Sequence, residues 1–312
     1  MPEIRAENLT YDYPGCRALD NVSFTLPTRS VTALVGPNGS GKTTLMRCMA
    51  GLDQSLSGSI YIDGIPVADN PRSVYARTGY LHDAFGVYNS LTISQCLRHA
   101  ASMRGAGTAK QEAAWVDAVV SRLGLQERLQ QKAGNLSRGW KQRLGIAQAI
   151  IHNPEILILD EPASGLDPDA RAYLSALVRQ LNAEGMTIVI SSHILTELQA
   201  YSTHMLTLAN GRCLGLAPLS ASQEDRQIIR LLLAHGHAGF EKALRAMDGI
   251  RIVNCSDAGA EIEYLADAAA HAGLLKGLVE SGFAISHFAA ANRDMQEIYH
   301  QAIRRDAEGQ VS

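Results

Sequence analysis

Residues 36–44 read Gly-Pro-Asn-Gly-Ser-Gly-Lys-Thr-Thr and fill every constrained position of the pattern G-x-x-x-x-G-K-[ST]. The chemistry of this stretch, Gly36, Pro37, Asn38, Gly39, Ser40, Gly41, Lys42, Thr43 and Thr44, is that of a phosphate cradle. Its three glycines let the backbone curl so that successive N–H groups face one phosphate chain. The N-terminus of the helix behind the loop adds its partial positive charge. Lys42 has the reach for β- and γ-phosphate oxygens, and the Thr43 hydroxyl suits Mg²⁺. A second group follows at Asp160-Glu161, which closes the apolar run 156–159. Asp160 is placed to hold Mg²⁺ through water, and Glu161 to polarise an attacking water. A third is Leu136-Ser137-Arg138-Gly139-Trp140-Lys141-Gln142-Arg143. Here Ser137 offers a hydroxyl and Gly139 a bare N–H at a helix start, a further site for an anion.

These groups need elements to hold them. The apolar run 30–35 reads as a buried strand leading into the glycine loop, with a helix from 44 to 49 behind it. Strands are expected at 4–11, 18–26, 58–67 (broken by a turn at Asp63-Gly64), 77–81, 156–159 and 187–191. Helix is expected over 91–129, with a break at Gly105–Gly107, and over 138–151 and 169–182. The run 156–159 is apolar throughout, as a strand buried on both faces of a parallel sheet would be. The alternation of strand and helix means α/β. Gly211–Pro218 reads as a linker. Beyond it the order β-α-β-β-α-β and a last helix over 293–304 describe a small α+β, ferredoxin-like domain. The expected domains are therefore 1–215 and 216–312.

At 312 residues and net charge −3, the chain is long for one core and carries no long basic run, so nucleic acid is not expected as a partner. Five scattered cysteines suit a reducing compartment. The start, Met-Pro-Glu-Ile-Arg, does not read as a signal peptide, and no segment approaches a membrane span. Any membrane role is expected to run through another chain.

Taken in order, the phosphate loop, Leu-Ser-x-Gly-x-x-Gln-Arg, the strand ending in Asp160-Glu161, Ser164-Gly165-Leu166-Asp167 and Ser191-Ser192-His193 resemble the ATP-binding subunits of ATP-binding-cassette (ABC) transporters over about residues 4–212. The resemblance implies a P-loop NTPase cassette with a RecA-like core, an antiparallel β subdomain and a helical subdomain. It implies a Mg²⁺-dependent ATPase that pairs head to tail, as a homodimer or with a second cassette. Each ATP would then lie between one chain's phosphate loop and the other's signature segment. Ser137 and Gly139 would bind the γ-phosphate across the interface, Asp167 would couple the two sites, and His193 would contact the γ-phosphate. Tyr13 stands where the family stacks a ring on adenine, with Tyr11 as its competitor. The implied partner is an integral membrane permease of an exporter, which would place the chain at the cytoplasmic face of the membrane. Phe85, Val87 and Tyr88 are the apolar patch expected to meet it, or else to pack under the helical subdomain. A soluble ABC ATPase acting on ribosomes or nucleic acid, and a module that binds ATP without hydrolysing it, are the rival readings.

The sequence also departs from the family. Asp83 stands where a glutamine is usual, and is expected to serve Mg²⁺ as a hard oxygen ligand. Arg138 replaces the first of two signature glycines, and Trp140 the signature glutamine. The histidines of the tail, His235, His237, His271, His287 and His300, have no metal-ligand spacing.

Overall fold

The structure is a computed structural model in which residues 3–83, 86–192, 194–219, 226–265, 267–290 and 295–309 are described. Two compact units emerge: Met1–Ala217 with Tyr299–Ser312, and Pro218–Ile298.

In the first unit, β1 (Ile4–Tyr13) and β2 (Cys16–Leu26) form a hairpin that leads to β3 (Val31–Val35) and α1 (Lys42–Met49). Then come β4 (Ser57–Ile62), β5 (Ile65–Pro66), α2 (Pro71–Arg77) and β6 (Thr78–Leu81). A helical section follows, α3 (Ile93–Met103), α4 (Ala109–Leu123) and α5 (Arg138–Ala149), whose members pack on one another. The chain returns through β7 (Ile156–Leu159), α6 (Pro168–Ala183), β8 (Thr187–Ser191), α7 (Leu195–Gln199), β9 (His204–Ala209) and β10 (Arg212–Pro218). Two sheets result. One has the order β2-β1-β4-β5 with antiparallel pairs. The other has the order β10-β9-β3-β8-β7-β6, parallel from β9 to β6.

The residues account for this division. β3, β7 and β8 are buried at every position, so their apolar runs need cover on both faces. Leu45, Met46 and Met49 of α1 share one core with Ile4, Leu26 and Ile62 of the antiparallel sheet and Ile158 and Val189 of the parallel one. In the helical section Thr92 starts α3 with a capping box completed by Gln95, and Thr108 accepts from the Gln111 N–H to start α4. Gly124, at φ 62°, ends α4.

Gly211–Pro218 corrects the linker reading: it is a turn and the edge strand β10 of the parallel sheet. Glycines at 211 and 215 hid it, because they remove side chains from a pattern that burial would otherwise have written. The helix α2 was also not legible, since Val74 is its one buried side chain.

The second unit contains β11 (Arg226–Leu233), α8 (Phe240–Arg245), β12 (Arg251–Ser256), β13 (Gly259–Leu265), α9 (Ala268–Glu280) and β14 (Ile285–Ala290), and α10 (Met295–Gly309) begins in it. Its sheet has the order β12-β13-β11-β14 with antiparallel pairs. β11 and β12 are each antiparallel to β13, which lies between them, the arrangement of a split β-α-β pair. Ile229, Leu231 and Ile262 of this sheet pack with Phe240 and Leu244 of α8 and Leu274 and Leu278 of α9.

Candidate functional site

The parallel sheet brings the chemistry to one edge. The glycine loop leaves the carboxyl end of β3, Ser191 ends β8, Asp160 follows β7, and His82-Asp83 follow β6. Since β8 lies between β3 and β7, its last residue falls between the loop and the acids. Ligands of open α/β sheets bind at this edge.

The loop is tightly constrained. A Cβ on Gly36 would lie 2.1 Å from the Leu208 carbonyl oxygen and 2.6 Å from Ser40 Oγ. Gly41, at φ 98°, caps α1 without a side chain, and its own Cβ would lie 2.4 Å from the Ala18 carbonyl oxygen. The first N–H groups of α1 thus have no side-chain cap, which suits an anion. Lys42 Nζ donates to the carbonyls of Gly36 at 2.8 Å and Pro37 at 3.0 Å. Burial pushes the Lys42 pKa down, while Glu161 and Asp160 oppose that shift, so both acids stand within electrostatic reach of the ammonium. Arg47 fastens the far end of α1 to Asp53 through two hydrogen bonds of 2.6 and 2.8 Å.

The acids are organised by Ser191. Its hydroxyl donates to Asp160 Oδ1 at 2.7 Å and accepts from the Glu161 N–H at 2.8 Å. That second bond holds Glu161 in the left-handed region, at φ 46°. Asp160 is 1% exposed, and its Oδ2 is buried without a hydrogen-bond partner among the described residues. A buried carboxylate oxygen left open in this way fits a hard cation. Thr43, expected beside it, lies in the first turn of α1 and is exposed. Asp83 lies exposed in the turn after β6. Among the described residues no three His, Cys, Asp or Glu side chains gather into a metal cluster. His193 and Phe85, both singled out in the sequence, lie outside the described residues.

Tyr13 and Tyr11 take different positions although two residues apart on one strand. The pairing of β1 with β2 shifts register between Tyr11 and Asp12. Tyr11 packs against the core, whereas Tyr13 is 43% exposed. The rings meet edge to face at 5.0 Å, and the Tyr13 hydroxyl lies 3.4 Å from Thr44 Oγ1. Tyr13 is therefore the ring that is open to stacking at the loop.

Ser137, Gly139 and Asp167 gather elsewhere, in a cleft of about 270 Å³ between α5 and α6 whose lining includes no residue of the phosphate loop. Ser137 starts α5, and its hydroxyl makes no cap hydrogen bond. Gly139 runs close to α6, where a Cβ would stand 2.9 Å from Ala170 Cβ. Asp167 caps α6 by accepting from the Ala170 N–H at 2.8 Å. Gln142 lines the same cleft, and its buried Nε2 has no hydrogen-bond partner among the described residues. One chain thus carries two separate groups suited to phosphate.

Sequence reasoning assigned Ser191 no role. The available signal was a serine closing an apolar strand, and its meaning depends on β8 lying between β3 and β7.

Comparisons with known proteins agree with this geometry. Residues 19–164 match the ABC transporter family. The chain is 36% identical over 216 residues to the bacitracin transport ATP-binding protein BcrA of Bacillus licheniformis, covering 69% of each. It is 29% identical over 268 residues to the linearmycin resistance ATP-binding protein LnrL of Bacillus subtilis, covering 84% of this chain and 85% of that one. Among solved structures, the ATP-binding subunit of an ABC transporter superimposes with a TM-score of 0.62 at 30% identity, over 69% of this chain and 90% of the other. The cassette fold, the ordered motifs and these likenesses together show that the chain belongs to the ATP-binding subunits of ABC transporters.

Proposed function

We propose that two cassettes close around two ATP molecules, hydrolyse them with Mg²⁺, and drive an integral membrane permease that exports its cargo. The observation that carries this reading is the separation of the two phosphate-binding groups. Lys42 stands with the acids tied by Ser191, while Ser137 and Gly139 line a different cleft. A second chain, turned head to tail, would complete each site.

In this reading the loop N–H groups and Lys42 hold the β- and γ-phosphates. Glu161 accepts a proton from the attacking water as the bond between the γ-phosphorus and the ADP oxygen breaks, giving ADP and phosphate. Asp160 and Thr43 would hold Mg²⁺, with Asp83 as a further oxygen donor. The metal, when bound, offsets charge on the phosphate oxygens. Ser137 and Gly139 reach the γ-phosphate of the opposite site, Asp167 links the two sites, Tyr13 stacks on adenine, and His193 fixes the γ-phosphate.

Among the described residues no helix is long and apolar enough to cross a membrane, so the permease is a separate chain in this proposal. The cassette would sit at the cytoplasmic face, meeting the permease near Val87 and Tyr88, of which Tyr88 is 57% exposed. Bacitracin transport and linearmycin resistance in the relatives' names support export. The tail, 216–312, is an accessory domain in this scheme.

The test is to express the tagged chain in its source cell, extract membranes in mild detergent and identify what co-purifies. A stoichiometric multi-span protein is expected. A soluble complex with ribosomes or nucleic acid would overturn the permease reading. Glu161→Gln should trap an ATP-bound dimer on size exclusion, and a variant that stays monomeric with ATP would overturn the paired-cassette reading.

A further inference from the structure

The two signature departures, Arg138 and Trp140, each belong to a contact that leads from α5 towards α6. From α5 the Arg143 guanidinium lies 3.4 Å from the centre of the Tyr173 ring of α6 and 4.1 Å from that of Trp140. Arg128, from the turn after α4, stands 4.4 Å from the same indole. Cation and aromatic ring thus alternate through four side chains. The stack is pinned at the end of α4, where the Leu123 carbonyl accepts from the Tyr173 hydroxyl at 3.0 Å and from Arg143 Nη1 at 3.5 Å. Arg138 makes a second strap. A Cβ on Gly165 would fall 2.8 to 3.0 Å from its Cζ, Nε and Nη1, so the guanidinium lies directly on that glycine. Gly165, at φ 65°, belongs to the turn that leads to Asp167 and α6. A glycine at 138 would have no side chain to lay there, and a glutamine at 140 no π face for two guanidinium groups.

We propose that Arg138, Trp140, Arg143 and Tyr173 form an intrachain clamp. It locks the signature helix to the Gly165–Asp167 turn and to α6. Ser137, Gly139 and Asp167 then present one fixed surface to nucleotide, an inference that rests on the reading above that these residues face ATP. The four are positioning residues: they act through the N-terminus of α5 and the cap of α6. Pre-set geometry of this kind lowers the barrier to the chemical step and leaves phosphate-loop binding untouched. The clamp therefore acts on kcat rather than on the KM for ATP.

The experiment uses the full chain and steady-state ATPase assays. Trp140→Gln, which restores the family residue, is expected to lower kcat about tenfold with KM unchanged, the scale of two cation–π contacts of about 0.5–1 kcal/mol each. Trp140→Phe, which keeps a ring face, should recover most of the loss. Adding Tyr173→Leu to Trp140→Gln should cost less than the product of the two single losses, because both rings hold the same Arg143 guanidinium. Arg138→Gly, at an exposed position, should lower kcat in the same direction without touching the stack. Wild-type kcat in both Trp140→Gln and Arg138→Gly, or losses from Trp140→Gln and Tyr173→Leu that multiply in full, would overturn the clamp. Ser137→Ala separates the two levels. If it leaves ATPase intact, the signature reading itself fails. If it abolishes ATPase while Trp140→Gln and Arg138→Gly are neutral, the clamp alone fails.

Discussion

Removing the Ser191 hydroxyl tests the site most directly, because one atom organises both acids. Ser191→Ala deletes a hydrogen bond to Asp160 Oδ1 at 2.7 Å and one from the Glu161 N–H at 2.8 Å, at a position with no solvent exposure. A hydrogen bond to a charged group contributes about 1.5–3 kcal/mol, and a buried N–H left alone costs about 1–3 kcal/mol. Together they put the stability loss at about 2.5–6 kcal/mol, or about 5–24 °C in Tm for a unit of this size. The kinetic effect follows from the backbone. Glu161 sits at φ 46°, and without its bond to Ser191 the residue is free to relax away from that strained angle. A loss of about 2 kcal/mol in the aim of the general base corresponds to about a 30-fold fall in kcat. The KM for ATP should change little, since the phosphate loop is untouched. The assay is phosphate release against ATP concentration, alongside thermal unfolding. A kcat within about twofold of wild type, with Tm unchanged, would refute the view that Ser191 holds the acids in place.

Further outcomes follow from single positions. Gly36→Ala should displace the loop, at about 1–3 kcal/mol, and abolish binding of a fluorescent ATP analogue, because its Cβ meets the backbone of β9. Gly39→Ala, with φ 77° but nothing within 4 Å, should cost only about 1–2 kcal/mol in thermal unfolding. Tyr13→Ala should weaken ATP binding by about 1–3 kcal/mol in titration, whereas Tyr11→Ala should act on Tm. Asp83→Ala should raise the Mg²⁺ concentration needed for half-maximal ATPase, and an unchanged Mg²⁺ dependence would end its metal role. His152 sets a pH dependence, since burial, aided by the Arg104 charge, pushes its pKa down to about 4 from the usual 6.5. The unfolded chain takes up that proton first as pH falls, so stability is full above about 6.5 and declines through about 4. His152→Gln should flatten the slope of Tm over that window.

Most of the site was legible because it is local. The phosphate loop, the acid pair and the signature segment each occupy a few consecutive residues, and the apolar runs of β3 and β7 announce strands buried on both faces. What was not legible depends on residues distant in sequence. Ser191 has meaning only through strand order, and Trp140 only through Tyr173 on another helix. The preference for Tyr13 over Tyr11 depends on a register shift against β2 that alternation along a single strand does not reveal. Edge strand β10, with its glycines, imitates a linker for the same reason: its pairing is with β9 and not with its own pattern.

The position of Lys42 changes how its replacement should be interpreted. An ammonium has three donors, and two here are spent on the carbonyls of Gly36 and Pro37. The side chain is an internal strut of its own loop as well as a counter-charge. A lysine-to-alanine variant, the customary negative control for such a site, would remove both at once. Lost activity in that variant would therefore measure a collapsed scaffold as much as a missing charge. A cleaner control keeps the strut and removes the chemistry, and Glu161→Gln meets that condition.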